Sequence, residues 1–340
     1  MKLLWLDLNS SYAHSSLALP ALHAQIADDT TIEWCIVSAT INENTGMVVS
    51  RIHKHRPDII AATNWLFNHE QLLHIISRAK ALLPHCCIVL GGPEFLGNNE
   101  AFLRKNKFVN GVFRGEGEEV FPIWLKVWNH PVNEWNQISG LCYLDESDQY
   151  QDNGIARVMN FSQLVSPEKS RFFNWSKPFV QLETTRGCFN TCAFCVSGGE
   201  KPVRTISLEA IRERLNVIHQ HGIKNVRVLD RTFNYNNKRA KELLHLFREY
   251  APDICFHLEI HPALLSEELK EELAILPNGL LHLEAGIQSL REPVLEKSRR
   301  IGKLSDALQG LKYLCSLKNM ETHADLIAGL PLYHLSEIFE

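Results

Sequence analysis

The sequence lacks any large excess of charge of one sign. It has 35 Lys and Arg residues against 39 Asp and Glu residues, for a net charge of -4 at pH 7. Such a balance gives no electrostatic basis for binding nucleic acid or an anionic membrane surface. The N-terminal stretch MKLLWLDL also lacks the length of a signal peptide or a membrane span, because its apolar run breaks at Asp7. We therefore expect a cytoplasmic protein with no membrane attachment.

Two common phosphate-binding patterns are absent as well. The sequence contains neither G-x-G-x-x-G nor G-x-x-x-x-G-K-[ST], so a nucleotide-phosphate cradle is not indicated. Two other glycine-rich loops do follow predicted strands, GGPEF at 91–95 and RGEGEE at 114–119. Glycine lets the backbone turn tightly or approach a large flat ligand closely, and the sequence leaves both interpretations open.

A disulfide framework is not indicated either. The chain has 9 cysteines, an odd number, and no apparent leader, which favours reduced thiols of which some are metal ligands. Six of the cysteines lie among apolar neighbours and are expected to be buried and inert: Cys35, Cys86, Cys87, Cys142, Cys255 and Cys315. The other three fall within the run TTRGCFNTCAFCVSG.

The pattern of elements predicts an α/β protein with two domains in its 340 residues. Short apolar runs alternate with amphipathic helices over residues 1–128, which predicts a doubly wound, Rossmann-like domain. Residues 129–177 are richer in Asn, Pro and Asp and are predicted to form a linker with a β-hairpin. Five further βα units over 178–340 predict a partial TIM-type barrel, expected to be incomplete at its C-terminus.

The three clustered cysteines are spaced as C-x-x-x-C-x-x-C at Cys188, Cys192 and Cys195. Thiolates separated by two or three residues can converge on one metal centre. A zinc site would require a fourth ligand, and the nearest histidines, His219 and His221, end a predicted helix. An iron–sulfur cluster with one open iron therefore fits better, in the loop after the first strand of the second βα series.

These cysteines, with Phe194 before the third, resemble the signature of radical S-adenosylmethionine (SAM) enzymes. In that family three cysteines hold a [4Fe-4S] cluster, whose open iron takes the amino and carboxylate groups of SAM. The resemblance implies that Cys188, Cys192 and Cys195 bind the cluster. It also implies that the backbone of Phe194 lies near the SAM adenine.

Further segments agree with this resemblance. LEAGIQS is similar to the fourth-strand segment of related enzymes, which implies that Glu284 and Gln288 face SAM, and DLIAGLP is similar to the fifth-strand segment that packs on adenine. The usual GGE-type segment on the second strand is replaced by LDRTFN. Asp230 is the candidate for its role of binding the SAM amino group, with Thr232 or Asn234 as alternatives.

The N-terminal domain resembles the cobalamin-binding domain that precedes the barrel in a large subgroup of these proteins, through PDIIAATNW, VLGGPEF and FRGEGEE. The resemblance implies that seven residues line the corrin site: Thr63, Asn64, Gly91, Gly92, Pro93, Gly115 and Glu116. The D-x-H-x-x-G run of histidine-ligated cobalamin is missing. His14 lies seven residues after Asp7, where the motif would place the histidine two residues after the aspartate. A lone loop histidine is more often solvated than bound to a metal, so the sequence does not identify a lower ligand for the cobalt.

The resemblance implies a radical SAM enzyme that uses a [4Fe-4S] cluster, SAM and cobalamin. The expected reaction is methyl transfer to an unactivated carbon after hydrogen abstraction by a 5′-deoxyadenosyl radical, with electrons from an external donor such as flavodoxin or ferredoxin. Three alternatives stay open: a cobalamin-dependent radical rearrangement, a non-catalytic redox carrier and an inactive truncated remnant. The sequence identifies neither the substrate nor the oligomeric state.

Overall fold

The fold is that of a computed structural model, which describes residues 1–14, 16–334 and 336. The chain divides into two compact units, Met1–Asn174 and Trp175–Glu340. Within the described ranges, no helix combines the length and apolar character needed to cross a membrane.

The first unit is built on a seven-stranded sheet in the order β2-β1-β3-β4-β5-β6-β7. Its strands are β1 (Lys2–Asn9), β2 (Glu33–Thr40), β3 (Ile59–Thr63), β4 (Cys87–Gly91), β5 (Gly111–Phe113), β6 (Leu141–Leu144) and β7 (Tyr150–Asp152). Its helices are α1 (Ala18–Ala24), α2 (Thr45–His55), α3 (His69–Leu82), α4 (Glu100–Lys105) and α5 (Val120–Trp124). Strands β1 to β5 are parallel, and β6 and β7 are added antiparallel.

Successive side chains of β1 enter two different cores. Leu4 and Leu6 pack in one apolar cluster, and Leu3 and Trp5 pack in another. Side chains alternate between the two faces of a strand, so a central strand that is apolar throughout must be covered on both faces. The predicted doubly wound α/β arrangement is confirmed.

The hairpin predicted within 129–177 is present as β6 and β7, and it continues the first sheet. The stretch up to Asn174 groups with the first unit. The domain limits 1–128, 129–177 and 178–340 themselves stay a prediction.

The second unit contains a five-stranded parallel sheet in the order β14-β13-β12-β11-β8 and a two-stranded sheet of β9 and β10. The strands are β8 (Val180–Leu182), β9 (Thr185–Arg186), β10 (Arg204–Thr205), β11 (Asn225–Val228), β12 (Cys255–Ile260), β13 (Leu281–Gln288) and β14 (Glu321–Leu326). The helices are α6 (Leu208–Gln220), α7 (Asn237–Arg248), α8 (Glu267–Ala274), α9 (Glu292–Lys297) and α10 (Leu304–Ser316). The main strands follow chain order across the sheet with helices between them, as a partial βα barrel requires.

Two helices of this unit begin at serines whose side chains cap them. The Ser207 hydroxyl accepts a hydrogen bond from the Ala210 amide, and the Ser266 hydroxyl accepts one from the Leu269 amide, each at 3.2 Å. These caps satisfy amides that the first helical turn leaves unpaired. They fix the points at which α6 and α8 begin.

Candidate functional site

The cysteine motif forms a loop between β9 and β10. Cys188 and Cys192 are buried, Cys195 is exposed, and all three thiols are free. The loop opens at Gly187, where φ is +96° and an added Cβ would lie 2.5 Å from the Glu200 carbonyl oxygen. That same oxygen accepts a 2.9 Å hydrogen bond from the Cys188 amide. Glycine is therefore required at this position for the two ends of the loop to approach each other.

The donor set of the loop bears on the kind of metal centre. The loop offers three free thiols. A structural zinc ion takes four protein ligands, whereas in an iron–sulfur cluster separate irons take separate thiolates. Three thiols in one loop therefore fit an iron–sulfur cluster with one open iron better than a single zinc ion.

Arg300 joins this loop to the sheet. Its Nη1 lies 3.9 Å from the Cys192 sulfur, and its Nη2 donates a 2.6 Å hydrogen bond to the Gly286 carbonyl at the end of β13. Burial raises the pKa of the Cys192 thiol, and the Arg300 charge opposes that increase. Sequence reasoning missed Arg300, because no local motif marks a residue 108 positions from the cysteine it approaches.

A polar cleft lies at the carboxyl ends of β12, β13 and β14, beside this arginine. Its lining consists of Arg231, Thr232, Glu259, Ile260, His261, Glu284, Gly286, Gln288, Arg300 and Asp325. The predicted SAM residues Glu284 and Gln288 are thus brought together, and Arg300 connects the cleft to the cysteine loop. Phe194 is 37% exposed on that loop. The SAM contacts of these three residues stay predictions.

Gln288 has an unusual backbone conformation, with φ at +70°. The pairing of β13 with β14 shifts register between Gly286 and Gln288. A Cβ added at Gly286 would lie 2.4 Å from the Gln288 side-chain nitrogen, so the absence of a side chain at 286 makes room for that amide. Non-glycine residues held at positive φ cluster at ligand sites.

Asp230 has a different environment from the one expected of a ligand facing an open cleft. It is 1% exposed. One carboxylate oxygen accepts 2.9 Å hydrogen bonds from the Thr184 and Thr185 amides, and the other accepts one from the Thr184 hydroxyl. Burial raises the pKa of Asp230, and these hydrogen bonds oppose the increase. The side chain anchors the chain between β8 and the cysteine loop, and its role toward SAM stays a prediction.

The two alternatives to Asp230 are also placed by the structure. Thr232 lines the cleft. The Asn234 side chain is buried and exchanges two hydrogen bonds with the His261 backbone, at 3.0 and 2.8 Å. Of these two residues, Thr232 is the one that faces the cleft.

Carboxyl groups in the cleft shift one another's pKa values. Burial, followed by the charge of Glu284, raises the pKa of Glu259 to about 7. Burial favours protonation of Glu284, but hydrogen bonds from Asp325 and His257 outweigh it and lower its pKa. The hydrogen bond to Glu284, together with burial, raises the pKa of Asp325. Asp325 is therefore the member of this pair that keeps a proton more readily. Sequence reasoning missed Glu259 and His257, because both lie on β12, outside every segment that resembles a family motif.

In the first unit, five of the seven residues predicted to line the corrin site meet at the ends of β3 and β4, in the sequence segments Thr63–Asn64 and Gly91–Pro93. Thr63 pairs in register with Gly91, whose carbonyl accepts a 2.7 Å hydrogen bond from the Asn64 amide. Gly92 has φ at +112°, and an added Cβ would lie 2.5 Å from the Asn64 carbonyl oxygen. The carboxyl edge of a doubly wound sheet is where such folds bind ligands.

The remaining two residues have contacts that packing explains. A Cβ on Gly115 would lie 2.2 Å from the Ala156 carbonyl oxygen. That oxygen accepts a 2.9 Å hydrogen bond from the Glu116 amide, and the Glu116 carboxylate accepts one from the Val158 amide at 2.6 Å. Both residues thus hold the segment that follows β7. Their contact with a corrin stays a prediction.

The same edge has features that suit a large, partly apolar ligand. Asn64 is fully buried, and its side-chain oxygen has no hydrogen-bond partner among the described residues. Tyr12, Leu66 and Phe67, in the loops after β1 and β3, are 74%, 84% and 42% exposed. The exposed apolar groups suit the flat face of a macrocycle, and the unpaired Asn64 oxygen suits one of its polar substituents. His14, in the loop after β1, is also exposed.

Comparison with known proteins agrees with this division of the chain. The B12 binding domain family matches residues 8–125, and the Radical SAM superfamily matches residues 182–339. An uncharacterized methyltransferase of Pyrococcus horikoshii is 26% identical over 82% of this chain and 62% of its own length.

Two solved structures share the fold. The cobalamin-dependent SAM radical enzyme OxsB, with aqua-cobalamin and SAM bound, has a TM-score of 0.77 over 96% of this chain and 49% of its own, at 17% identity. The radical SAM methyltransferase TsrM of Kitasatospora setae, with cobalamin and a [4Fe-4S] cluster bound, has a TM-score of 0.72 over 97% of this chain and 67% of its own, also at 17% identity. The chain spans about half to two thirds of the length of these relatives. With both domain families matched in this order, the chain is a radical SAM protein that carries an N-terminal B12-binding domain.

Proposed function

We propose that this chain binds a [4Fe-4S] cluster, SAM and cobalamin, and acts as a cobalamin-dependent radical SAM methyltransferase on an unactivated carbon. When bound, these cofactors supply a 5′-deoxyadenosyl radical for hydrogen abstraction and a methyl group for transfer. The observation that carries the proposal is the loop of three free thiols joined through Arg300 to a polar cleft at the strand ends. The substrate is an organic molecule of unassigned class.

The residues of the second unit have separate roles in binding the cluster and SAM. Cys188, Cys192 and Cys195 hold the cluster, and the guanidinium of Arg300 offsets part of the negative charge of its thiolates. Glu284 and Gln288 orient SAM in the cleft, where a carboxylate and an amide can receive and donate hydrogen bonds. Asp230 holds the β8 end from which the cysteine loop departs. No residue of the site needs to act as a general base, because hydrogen abstraction by a radical requires none.

In the first unit, we assign the corrin ring to the edge formed by Thr63, Asn64 and Gly91–Pro93. Backbone without side chains lets a flat ring approach closely, and the buried Asn64 oxygen offers an acceptor for an amide substituent of the ring. Gly115 and Glu116 keep the neighbouring segment in place. We further propose a cytoplasmic location and reduction of the cluster by flavodoxin or ferredoxin.

The first experiment is anaerobic reconstitution with iron and sulfide, followed by addition of SAM and dithionite and assay of 5′-deoxyadenosine. We expect wild type to form deoxyadenosine and Cys192→Ala to form none. Cys315→Ala removes an exposed cysteine outside the loop and is the matched control; it should keep wild-type iron content and activity. A chain that assembles four irons and four sulfides but never cleaves SAM would contradict the enzymatic proposal. One zinc ion in the cysteine loop instead of a cluster would contradict the cofactor assignment.

Cobalamin binding has its own test, because it does not depend on the cluster. Anaerobic titration with hydroxocobalamin, followed by gel filtration and absorption spectroscopy, should give one corrinoid per chain in both wild type and Cys192→Ala. Gly92→Val places a branched side chain where a Cβ already meets Asn64, and it should abolish corrinoid retention while iron content stays normal. Equal corrinoid retention by this variant would contradict the assigned edge.

A further inference from the structure

Three ionisable side chains on adjacent strands of the second unit converge on one point. His257 on β12, Glu284 on β13 and His323 on β14 each offer one ligand atom, and these atoms all lie within 4.8 Å of one another. The His257 Nε2 is 2.9 Å from a Glu284 carboxylate oxygen, and the His323 Nε2 is 3.7 Å from the same oxygen. Two ligands on one metal ion at bond lengths of about 2.0–2.2 Å are separated by about 3–3.5 Å. The cluster already approaches that spacing.

The parallel register explains why these groups meet. Glu284 lies opposite His323 across the β13–β14 pair, and His257 lies opposite His282, two residues before Glu284 on β13. Residues two apart on a strand point to the same face, so all of these side chains share one face of the sheet. The opposite face of β12 and β13 is apolar and buried, with Leu258 and Leu283 at 1% and 0% exposure. The polar face is therefore a separate, continuous surface.

Both kinds of ligand have outer partners of the sort that metal sites use. The His323 Nδ1 lies 2.8 Å from the His282 Nε2, which leaves the His323 Nε2 directed at Glu284. A hydrogen bond to the far ring nitrogen is what fixes the tautomer and orientation of a metal-ligating histidine. On the carboxylate side, Asp325 hydrogen-bonds Glu284. His323 and Glu284 are thus held from outside the triad as well as by their own strands.

We propose that His257, Glu284 and His323 form a binding site for a divalent transition metal ion of the zinc type. Two imidazoles and one carboxylate, without a thiolate, suit Zn²⁺ or Fe²⁺ rather than Ca²⁺ or Mg²⁺. Three protein ligands leave at least one coordination position open, as in catalytic rather than structural zinc sites. Glu284 also lines the cleft, so the open position is available to an oxygen or nitrogen donor of a bound molecule.

Access to the site is sufficient for an ion to enter. The side chains of His257, Glu284 and His323 are 16%, 30% and 43% exposed. The simpler explanation is a hydrogen-bond network in which Glu284 accepts from His257 and no ion binds. The two explanations differ in a measurable way, because a network binds no metal and a site binds one equivalent. The inference goes beyond the proposed methyl transfer. It shares Glu284 with the SAM role proposed above, but its readout, zinc binding, is measured without SAM.

The test uses the full chain with its cysteines occupied by a reconstituted cluster, so that the thiols do not compete. The protein is incubated anaerobically with one equivalent of Zn²⁺, desalted, and examined for zinc content and for zinc K-edge X-ray absorption. We expect one zinc per chain, with nitrogen and oxygen ligands at about 2.0–2.2 Å and outer-shell scattering from imidazole. His257→Gln and His323→Gln should each lower zinc affinity at least about tenfold, as expected when a ligand is removed.

Two further variants complete the design. Glu284→Gln keeps the volume of the side chain, so its loss of zinc would not reflect a cavity or misfolding. His219→Gln is the matched control: His219 lies 3.0 Å from the Asp253 carboxylate in the same unit but is not part of the triad, and its replacement should leave zinc content unchanged. Absence of bound zinc in wild type, equal zinc content in wild type and all three ligand variants, or a Zn–S distance near 2.3 Å would overturn the proposal.

Discussion

The guanidinium of Arg300 lies 3.9 Å from the sulfur of Cys192 and is held there by a hydrogen bond to the Gly286 carbonyl. The arginine therefore belongs both to the cysteine loop and to the strand end that forms the cleft. A fixed positive charge beside a thiolate stabilises the more negative, reduced state of a cluster bound there. This relationship gives the first prediction.

Arg300→Gln should shift the midpoint potential of the reconstituted cluster to a more negative value, because the reduced state loses its neighbouring charge. Potentiometric titration followed by electron paramagnetic resonance measures this potential directly. Arg299→Gln removes an equal charge one residue earlier, from an exposed side chain, and should leave the potential nearly unchanged. Equal shifts in the two variants would mean that net charge, rather than the contact with Cys192, sets the potential.

Asp230 gives a prediction about stability. Asp230→Ala leaves the buried Thr184 and Thr185 amides without their acceptor, which should lower the free energy of unfolding by about 3 kcal/mol. Asp230→Asn should lower it by about 1 kcal/mol or less, because its amide oxygen can still accept from the backbone and its NH₂ can donate to the Thr184 hydroxyl. Urea unfolding followed by circular dichroism compares the two variants.

The Asp230→Asn variant also tests the predicted role of Asp230 toward SAM. Calorimetric titration of the cluster-loaded Asp230→Asn variant with SAM measures the affinity apart from stability. If Asp230 acts as an anchor alone, SAM affinity should stay close to that of wild type. A loss of tenfold or more in a well-folded variant would instead identify the carboxylate charge as a SAM contact.

His261 gives a prediction about pH. Burial, followed by the charge of Arg300, lowers the pKa of His261 to about 4, and its Nε2 donates to the Ile301 carbonyl at 3.0 Å. Below pH 6.5 the unfolded chain takes up a proton that the folded protein rejects, so this residue makes the free energy of unfolding fall as the pH falls from about 6.5 toward 4. The contribution lost between pH 7.5 and pH 5.5 is about 1 kcal/mol.

His261→Gln should remove that part of the pH dependence. Urea unfolding at pH 7.5 and pH 5.5 gives the difference for each protein, and all other titrating groups cancel in the comparison. His74→Gln, a change at an exposed histidine of α3, should retain the wild-type difference. A wild-type pH dependence in His261→Gln would show that His261 is not held neutral in the folded state.

Gly115 gives a prediction about the first unit. Gly115→Ala brings a Cβ to 2.2 Å from the Ala156 carbonyl oxygen at a φ of +101°, whereas Gly154→Ala meets nothing within 4 Å at a φ of +81°. For the control Gly154→Ala, backbone strain alone should lower the free energy of unfolding by about 1–2 kcal/mol. For Gly115→Ala the free energy of unfolding should fall by about 2 kcal/mol more, because the segment after β7 must move. Tryptophan fluorescence during urea unfolding reports on this unit, in which Trp34 and Trp124 are buried. Equal losses would contradict the close packing at Ala156.

Parts of the site could be found from the sequence because they are local. The three cysteines lie within one loop, and Gln288 and Glu284 lie within one strand segment, so motif spacing alone identifies them. The same holds for the two glycine-rich loops after β4 and β5. For Asp230, in contrast, sequence position gave a plausible ligand but could not reveal that its carboxylate is already used by Thr184 and Thr185.

The sequence by itself determined the α/β class, the order of the two domains and the cysteine motif. Alternation of short apolar runs with amphipathic helices encodes parallel strands and their covering helices, and the motif needs only a few consecutive residues. The tertiary structure decided the contact of Arg300 with Cys192 and the convergence of His257, Glu284 and His323. The convergence of the triad depends on the register of β12, β13 and β14. The other contact joins residues 108 positions apart in the chain, which become neighbours only when the sheet has formed.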